Sequence, residues 1–525
     1  MTTLQPRPPY SDAELQQLYP PRLHLQQVQI LLRHGERTPI NARFTNTGLP
    51  AYWPYCNAVR HLRSAVMGPS GPGADADVST FTEVQWRRRL ETFGADDVAI
   101  PATGPNDKNK LEVDGICDFG MLTDRGRETT YALGTRLRKL YVDHLGFLPA
   151  SINNADFLYL RSTPIPRALE SMQQAFSGLY PHHTRAADFP PLTIIARTPA
   201  DETLFPNDGN CRRFAALSRA FANRAAERWN DSPEMDYLTK KLGKYMPEDS
   251  PRVAVDARPR LSGLMDTVNS TLAHGPATRL PKDFYDPKAR SIMEKIGVEE
   301  WYAGYKESEE YRTLGIGALM GDVVARMVSS AERNVPLPDE AFVQTPGQGK
   351  LEQAQNKRSR SVVDTERDSF RFGLSGCHDT TLAGILASLG AFGTDAWPPF
   401  TSHIAIELFR DAENTQKSPS SSSWWPSFLG GSSSSSIGRT PTPNLSDKQK
   451  DSMQGYFVRL RYNDEPVTIP GCKLPGSHLP GDESFCTLAA FKAIVDKFTP
   501  GDWKQQCRMN IKAPAFPQKP EPAGF

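Results

Sequence analysis

The sequence predicts an α/β fold in which helices cover both faces of a sheet. Short apolar runs typical of buried strands recur along the chain, at Leu25–Leu32, Phe157–Leu160, Leu192–Ala196, Phe372–Gly376 and His403–Phe409. Stretches with apolar residues at helical spacing lie between several of these runs. Strands that alternate with helices indicate a sheet packed between two helical layers.

Three segments carry the helical signal most clearly. The segment after Thr123 places apolar residues at intervals of three and four, and Thr123 itself suits a helix N-cap. Similar stripes follow Pro166 and His378, and Gly390 is the expected stop of the last helix. The second and third helices come soon after a predicted strand, as in βα units.

The middle of the chain has few strand signals and many charged, helical ones. We therefore expect residues 206–344 to form a mainly helical insertion. Residues 20–205 and 369–510 would then form one discontinuous α/β core. The two ends, residues 1–19 and 511–525, are expected to be flexible.

Two polar segments are predicted to be disordered. Residues 345–368 are charged and rich in glutamine, and residues 411–452 form a serine-rich, low-complexity insert. Trp424 and Trp425 are unusual in such an insert. A loop that touches the protein's own surface is one interpretation, and a peripheral contact with a membrane or a partner is the other.

Composition excludes several classes of protein. The 525 residues contain 61 Lys and Arg against 60 Asp and Glu, a net charge of +1, which does not fit a nucleic-acid-binding protein. No stretch reaches the ~18 apolar residues that a transmembrane helix needs. The first residues also lack the apolar core of a secretory signal. We expect a soluble, cytoplasmic protein, with a mitochondrial location as the alternative.

The cysteines predict reduced thiols rather than a disulfide framework. There are seven, an odd number, scattered along the chain. The closest group, Cys472, Cys486 and Cys507, fits no common zinc spacing, and its redox state stays open.

The segment ILLRHGERTP places Arg33, His34 and Arg37 directly after an apolar run. Three potential cations within five residues repel one another, so an anion bound between them would explain the pattern. Guanidinium groups match the bidentate face of a phosphate, and a neutral imidazole can accept a phosphoryl group itself. Gly35 would let the backbone turn and approach a ligand closely.

Two further strand–helix junctions carry similar chemistry. Arg161 follows the second predicted strand and could supply a third guanidinium, whereas His378 and Asp379 precede the helix after the fourth. Bound phosphate would raise the pKa of Asp379, and its protonated carboxyl could then act as a general acid. The simpler alternatives are a solvated charged turn at Arg33 and helix capping by Asp379.

These motifs, in this order, resemble the histidine acid phosphatases, the branch of the histidine phosphatase superfamily that carries RHGxRxP and HD. The resemblance includes LLRHGERTP, YLRSTPIPRALES and GCHDTTLAGIL, and WPPFTSHIAIELF is similar to the lysophosphatidic-acid phosphatase subgroup. It implies a phosphoglycerate-mutase-like sandwich of helices around a mainly parallel sheet. The helical insertion would be a cap domain over the site.

The resemblance also implies a role for each candidate residue. His34 would be the phosphorylated nucleophile and Asp379 the proton donor. No cofactor or metal is implied, because the arginines supply the positive charge. The residues that would bind phosphate are Arg33, Arg37, Arg161 and His378.

We therefore expect a metal-independent acid phosphatase that acts on a small-molecule phosphate ester through a phosphohistidine. The subgroup suggests lysophosphatidic acid as substrate, and Leu264, Met265, Leu319 and Met320 are candidates to line an acyl site. The alternatives are a general or phosphoprotein phosphatase, a phosphomutase or phosphotransferase of the same superfamily, and a pseudo-phosphatase that binds phospholipid or a partner. The intact motifs disfavour the last of these.

Overall fold

The computed structural model describes most of the chain. The described residues are 2–67, 81–102, 114–332, 370–393, 396–413 and 437–525. The predicted disordered segment 345–368 lies outside them, as do Trp424 and Trp425 with the possible membrane contact assigned to them.

Within these ranges the strands are short and mostly buried. In chain order they are β1 Leu23–Arg33, β2 Leu62–Met67, β3 Phe81–Trp86, β4 Glu91–Phe93, β5 Ala99–Pro101, β6 Leu158–Ser162, β7 Phe372–Cys377, β8 His403–Asp411, β9 Tyr456–Tyr462, β10 Glu465–Val467, β11 His478–Leu479 and β12 Asp482–Thr487. Strands β2 to β5 are the exception, because they form two separate, largely exposed hairpins.

The helices occupy both the core and the insertion. They are α1 Asp12–Leu18, α2 Asp124–Arg138, α3 Pro166–Leu179, α4 Arg212–Trp229, α5 Pro233–Leu242, α6 Leu261–Leu272, α7 Pro287–Glu307, α8 Glu309–Arg312, α9 Ala318–Glu332, α10 Asp379–Ser388, α11 Asp447–Asp451, α12 Leu488–Asp496 and α13 Trp503–Gln506. The predicted N-cap is confirmed, since Thr123 accepts a hydrogen bond from the Gly126 amide. Gly390, the expected stop after α10, has a φ of +64°.

One mixed sheet forms the centre of the molecule and confirms the α/β class. Its strand order is β11-β12-β9-β8-β1-β7-β6, with β10 beside β9. Strands β1, β7 and β6 pair in parallel, whereas β8 to β12 pair with their neighbours antiparallel. The expectation of a mainly parallel sheet is therefore wrong for one half of it. Within that half, β9–β10 and β11–β12 are hairpins, which join antiparallel strands, whereas β8 pairs with β1 and β9 across longer stretches of chain.

Alternate residues of β1 face opposite helical layers. Ile30 packs in a cluster with Leu133 of α2 and Met172 of α3. The next residue, Leu31, packs in another cluster with residues of α9, α10 and α12. Both faces of the sheet are thus covered, which explains why β1 reads as an unbroken apolar run.

The predicted insertion is not one unit. Helices α5 and α6 and the first part of α7 share a core with Phe44, Trp53 and Cys117, which precede the insertion in the chain. Helix α9 instead packs on the sheet, where the Val323 carbonyl accepts a hydrogen bond from Gln29 of β1. Part of the segment therefore forms a second lobe and part covers the core.

The helix that continues from Glu309 to Glu332 is, in the described part of the chain, the one segment long and apolar enough to cross a membrane. Its most apolar window is 78% buried inside the protein. Burial of that kind is typical of a core helix.

Three sequence expectations about order are wrong. The apolar run Leu192–Ala196 forms no strand, because only Ile195 makes a bridge, to Arg161. Residues 437–452, predicted to be disordered, contain two 3₁₀ turns and helix α11. Both ends of the chain pack on the protein: Thr3 bridges to Phe400 near the N-terminus. Near the C-terminus, the Gly524 carbonyl accepts a hydrogen bond from the Gly471 amide.

The expectation of reduced thiols is also wrong. Three disulfides join six of the seven cysteines: Cys56–Cys117, Cys211–Cys507 and Cys472–Cys486. The partners are up to 296 residues apart in the chain, so their spacing in the sequence does not reveal the pairing. Cys377, at the end of β7, is a buried free thiol.

Candidate active site

The site lies where the three parallel strands end. In the register of the sheet, Arg33 at the end of β1 is opposite Cys377 of β7, and Ser162 of β6 is opposite Gly376. The residues that follow β1 and β7 therefore meet at one edge of the sheet, as expected for a ligand site in an α/β fold. His34 follows β1 and His378 follows β7, and their ring centroids are 5.5 Å apart.

His34 is held as a neutral imidazole with one free nitrogen. Its Nδ1 lies 2.9 Å from the Gly35 carbonyl oxygen, which can only accept, so Nδ1 carries the proton and Nε2 keeps its lone pair. Burial and the nearby charges of Arg167, Arg37 and Arg33 lower the pKa of His34 well below its usual value. The His34 side chain is 1% exposed. Its unprotonated Nε2 carries the lone pair that a nucleophile needs.

Gly35 has a different role from the one expected. A Cβ at this position would lie 2.3 Å from the Gly126 carbonyl oxygen at the start of α2. Glycine is therefore required for the packing of two backbone segments, and this packing fixes the turn that carries His34.

Arg33 and Asp379 form a buried ion pair next to the imidazoles. The guanidinium Nη2 of Arg33 lies 2.8 Å from Asp379 Oδ2, and the indole Nε1 of Trp397 donates to the same oxygen at 3.0 Å. Burial raises the pKa of Asp379, but the charge of Arg33 and the Trp397 hydrogen bond outweigh it, and the net shift is downward. The protein groups alone thus do not produce the raised pKa that we expected for Asp379.

Asp379 does not cap its helix. The N-cap of α10 is His378, and Asp379 Oδ1 accepts a hydrogen bond from the next amide, that of Thr380, at 2.9 Å. Nε2 of His378 lies 3.1 Å from the hydroxyl of Thr163, which orients the ring. Burial and the charge of Arg167 lower the pKa of His378.

Arg37 joins the site from the turn after His34. Its Nη1 lies 2.7 Å from Asp266 Oδ1, on helix α6 of the second lobe. Asp266 also accepts from Arg43, at 3.4 Å. The second lobe thus positions Arg37 through Asp266. This contact joins two distant segments, so the sequence alone does not reveal it.

Arg161 pairs with Glu202. It is fully buried, and its Nη2 donates to Glu202 Oε1 at 2.7 Å and to the Thr203 hydroxyl at 3.1 Å. It is not among the residues that line the cavity, and its Nε and Nη1 are buried without a hydrogen-bond partner in the described part of the chain. Its role in binding phosphate therefore stays a prediction.

Arg167 is a guanidinium of the cavity wall that was not among the predicted site residues. It is the second residue of α3, after Pro166, and its side chain lines the cavity with His34 and Arg37. Burial, followed by the charge of Arg37, lowers the pKa of Arg167 to about 10, because the guanidinium is crowded by other cations. The signal in the sequence was the second arginine of RSTPIPR, placed at a helix N-terminus where anions bind.

A cavity of about 300 Å³ connects these groups to solvent. His34, Arg37, Arg167, His378 and Asp379 are among the residues that line it. The remaining wall contains Asp208 and six aromatic residues: Phe205, Phe214, Trp301, Tyr302, Tyr305 and Tyr311.

The residues proposed to line an acyl site lie elsewhere. Leu264 belongs to the core of the second lobe, and Leu319 and Met320 belong to the layer that packs on the sheet. Met265 is 6% exposed and is also absent from the cavity wall. These apolar residues at helical spacing pack in the protein core. The wall of the cavity is formed by loops and by other helix faces.

Neither a thiol nucleophile nor a metal cluster is found among the described residues at this edge of the sheet. Burial raises the pKa of the Cys377 thiol to about 12, so this cysteine is not a competing nucleophile. In the described ranges, no group of three or more His, Cys, Asp or Glu side chains is arranged to hold a metal ion.

The fold and the site together define a phosphate-binding enzyme of the α/β class. Two guanidinium groups and two neutral imidazoles converge in a cavity that has a carboxyl group at its edge. Such a set can bind a phosphoryl group, accept it on nitrogen and protonate a leaving oxygen.

Known proteins agree with this assignment. Residues 24–463 match the family described as histidine phosphatase superfamily (branch 2). A Schizosaccharomyces pombe chain named "Probable acid phosphatase SPBC4.06" is 34% identical over 494 residues, which cover 93% of this chain and 95% of that one. Human "Lysophosphatidic acid phosphatase type 6" is 24% identical over 300 residues, 57% of this chain and 58% of that one.

Among solved structures, Hafnia alvei phytase in complex with tartrate is similar over 93% of this chain and 100% of that one, at 14% identity and a TM-score of 0.48. The chain belongs to branch 2 of the histidine phosphatase superfamily. It is a hydrolase, a phosphomonoesterase of the acid phosphatase type.

Proposed function

We propose that the chain hydrolyses phosphomonoesters in two steps through a phosphohistidine on His34. The observation that carries this proposal is the free Nε2 of a neutral His34 in a cavity shared with Arg37 and Arg167. The two guanidinium groups bind the equatorial oxygens of the phosphoryl group and stabilise the charge that develops on them. His378 lines the same cavity.

In the first step, His34 Nε2 attacks phosphorus and the bond from phosphorus to the ester oxygen breaks. The departing alkoxide takes a proton from the carboxyl of Asp379. Arg33 holds this carboxyl ionised at 2.8 Å. A phosphate anion that draws on the charge of Arg33 weakens this effect and raises the pKa of Asp379.

In the second step, the carboxylate of Asp379 takes a proton from water as the water oxygen attacks phosphorus. The bond between phosphorus and Nε2 breaks, which releases inorganic phosphate and restores neutral His34. No metal ion takes part in either step, because the arginines supply the positive charge.

His34→Ala tests the proposal directly. Rapid acid-free quench with ³²P-labelled substrate should trap label on the native protein and none on this variant. Turnover should fall by several orders of magnitude, while the folded state is retained. The matched control is His183→Ala, because His183 is exposed and outside the cavity. Labelling of His34→Ala would assign the nucleophile to another residue.

We further propose that the substrate has an apolar alcohol portion, of which lysophosphatidic acid is the leading example. The aromatic wall supports this proposal, as does the likeness to proteins that carry that name. Burial of each methylene contributes about 0.8 kcal/mol, so kcat/KM should rise about fourfold per methylene that enters the cavity. Lysophosphatidic acids of short to medium chain, below their critical micelle concentrations, test this. Equal kcat/KM across the series and for glycerol phosphate would favour a general phosphatase.

We also propose that the chain matures in an oxidising compartment rather than in the cytoplasm. The three disulfides support this, since such bonds rarely persist in a reducing cytosol. Alkylation of protein from its native cells before reduction, followed by peptide mapping, should leave Cys56, Cys211 and Cys472 unmodified. Free thiols at these positions would restore the cytoplasmic interpretation.

A further inference from the structure

The charged residues of the cavity wall differ in exposure. Arg37, His34 and His378 are buried, and Arg37 and Arg167 are the guanidinium groups of this wall for the phosphoryl group that is hydrolysed. Asp208 is exposed and, apart from Asp379, is the acidic residue of the wall. A substrate whose phosphoryl group is bound by the arginines therefore has its alcohol portion among aromatic rings and this carboxylate.

The aromatic part of the wall is tightly packed. Tyr311 lies edge-on to Phe214, with ring centroids 4.9 Å apart, and to Tyr305, at 4.8 Å. Tyr305 is 1% exposed and packs in turn against Gly315 and Gly384. Close packing fixes the positions of these rings. Asp208 therefore supplies the charge in this part of the wall.

Asp208 stands at the mouth, in the exposed turn between Glu202 and helix α4. Within the described ranges its carboxylate makes no hydrogen bond and no ion pair, so no neighbouring cation neutralises it. Burial raises the pKa of Tyr305, and the charges of Tyr311 and Asp208 raise it further, which indicates that Asp208 acts on the aromatic wall.

We propose that Asp208 is a specificity-determining residue that rejects phosphomonoesters with a second anionic group. This inference rests on the phosphatase function proposed above. A carboxylate or second phosphate on the alcohol portion would face Asp208 and aromatic rings, while Arg37 and Arg167 are engaged by the phosphoryl group that is hydrolysed. An uncharged alcohol portion meets no such repulsion. The preferred substrates are thus monophosphates whose remaining part is neutral.

A matched pair of substrates tests this, namely glycerol 3-phosphate and 3-phosphoglycerate, which are similar in size but differ by one carboxylate. The measured quantity is the ratio of kcat/KM for 3-phosphoglycerate to that for glycerol 3-phosphate. Removal of one like charge a few ångströms away at an exposed site is expected to raise this ratio about three- to tenfold in Asp208→Asn. Asp208→Lys reverses the charge and should raise the ratio further. The ratio is the readout because both substrates carry the same phosphate, so a change that affects the phosphate alone cancels in it.

The control variant is Glu227→Gln, which changes the net charge equally at an exposed position of α4 outside the cavity. Its ratio should equal that of the native protein. An unchanged ratio in both Asp208 variants, or the same rise in Glu227→Gln, would overturn the inference. Absence of turnover of p-nitrophenyl phosphate by the native protein would instead overturn the proposed function, so the two failures are distinguishable.

Discussion

Alanine substitution at two arginines, six residues apart, should have opposite consequences. Arg161 and Arg167 both belong to RSTPIPR. The structure buries Arg161 against Glu202 and places Arg167 in the cavity wall. Arg161→Ala should therefore lower stability, and Arg167→Ala should lower activity.

The expected loss for Arg161→Ala follows from its burial. The ion pair with Glu202 is 2.7 Å long, with the two side chains 1% and 0% exposed. Removal of one partner of a buried pair leaves an uncompensated charge and costs about 3–5 kcal/mol. The free energy of unfolding should fall by that amount in urea titrations followed by circular dichroism. Below the unfolding transition, the KM for p-nitrophenyl phosphate should change little.

Arg167→Ala should show the reverse pattern. Loss of one preorganised donor to the transferred group typically lowers kcat by about 10²–10³-fold. Inorganic phosphate should inhibit this variant more weakly as well. Stability should hold or rise slightly, because burial and Arg37 lower the pKa of Arg167, and a cation with a lowered pKa destabilises the folded state.

Arg219→Ala serves as the control, since Arg219 is exposed on α4 and donates to a backbone carbonyl of its own helix. Its unfolding free energy and its kinetics should both match those of the native protein. A stable Arg161→Ala protein that has lost phosphate affinity, together with a fully active Arg167→Ala protein, would refute this assignment of the two arginines.

Three further outcomes follow from the same geometry. Asp379→Asn should lose more kcat with alkyl phosphates than with p-nitrophenyl phosphate, because only the alkoxide needs a proton; equal losses would make Asp379 a positioning residue. Trp397→Phe removes a hydrogen bond that lowers the pKa of Asp379, so that pKa should rise and the alkaline limb of kcat for alkyl phosphates should move to higher pH; a shift to lower pH would contradict the donor role. EDTA should leave turnover unchanged, whereas a loss reversed by magnesium or zinc would refute the metal-free mechanism.

Much of the fold was predictable because its signals are local. The end of β1, the start of α2 at Thr123 and the helix after Pro166 each depend on residues within a few positions of one another. The failure at Leu192–Ala196 shows the limit of such signals. The apolar pattern is present there, but only Ile195 bridges to a neighbour, and a strand exists only where it is paired.

The candidate site also contains residues that the sequence predicts and residues that it does not. His34 and His378 each follow a parallel strand, so the rule that such strands end at one edge was enough to bring them together. The aromatic wall was not foreseen, because its rings come from α4, α7, α8 and the loop before α4. Leu264 and Met320 were proposed for the wall on periodicity, which marks a buried face but not what that face packs against.

The sequence by itself determined the chemistry of this protein: an arginine–histidine motif and a histidine–aspartate motif, each written in consecutive residues at the end of a strand. Only the tertiary structure places Arg167 in the cavity wall and pairs Arg161 with Glu202, 41 residues further along the chain. It also decided the disulfide partners, up to 296 residues apart, and the contact of Asp266 with Arg37. The physical reason is the same in each case. Bond geometry and strand periodicity act over a few residues, whereas pairing between distant segments exists only after the chain has packed.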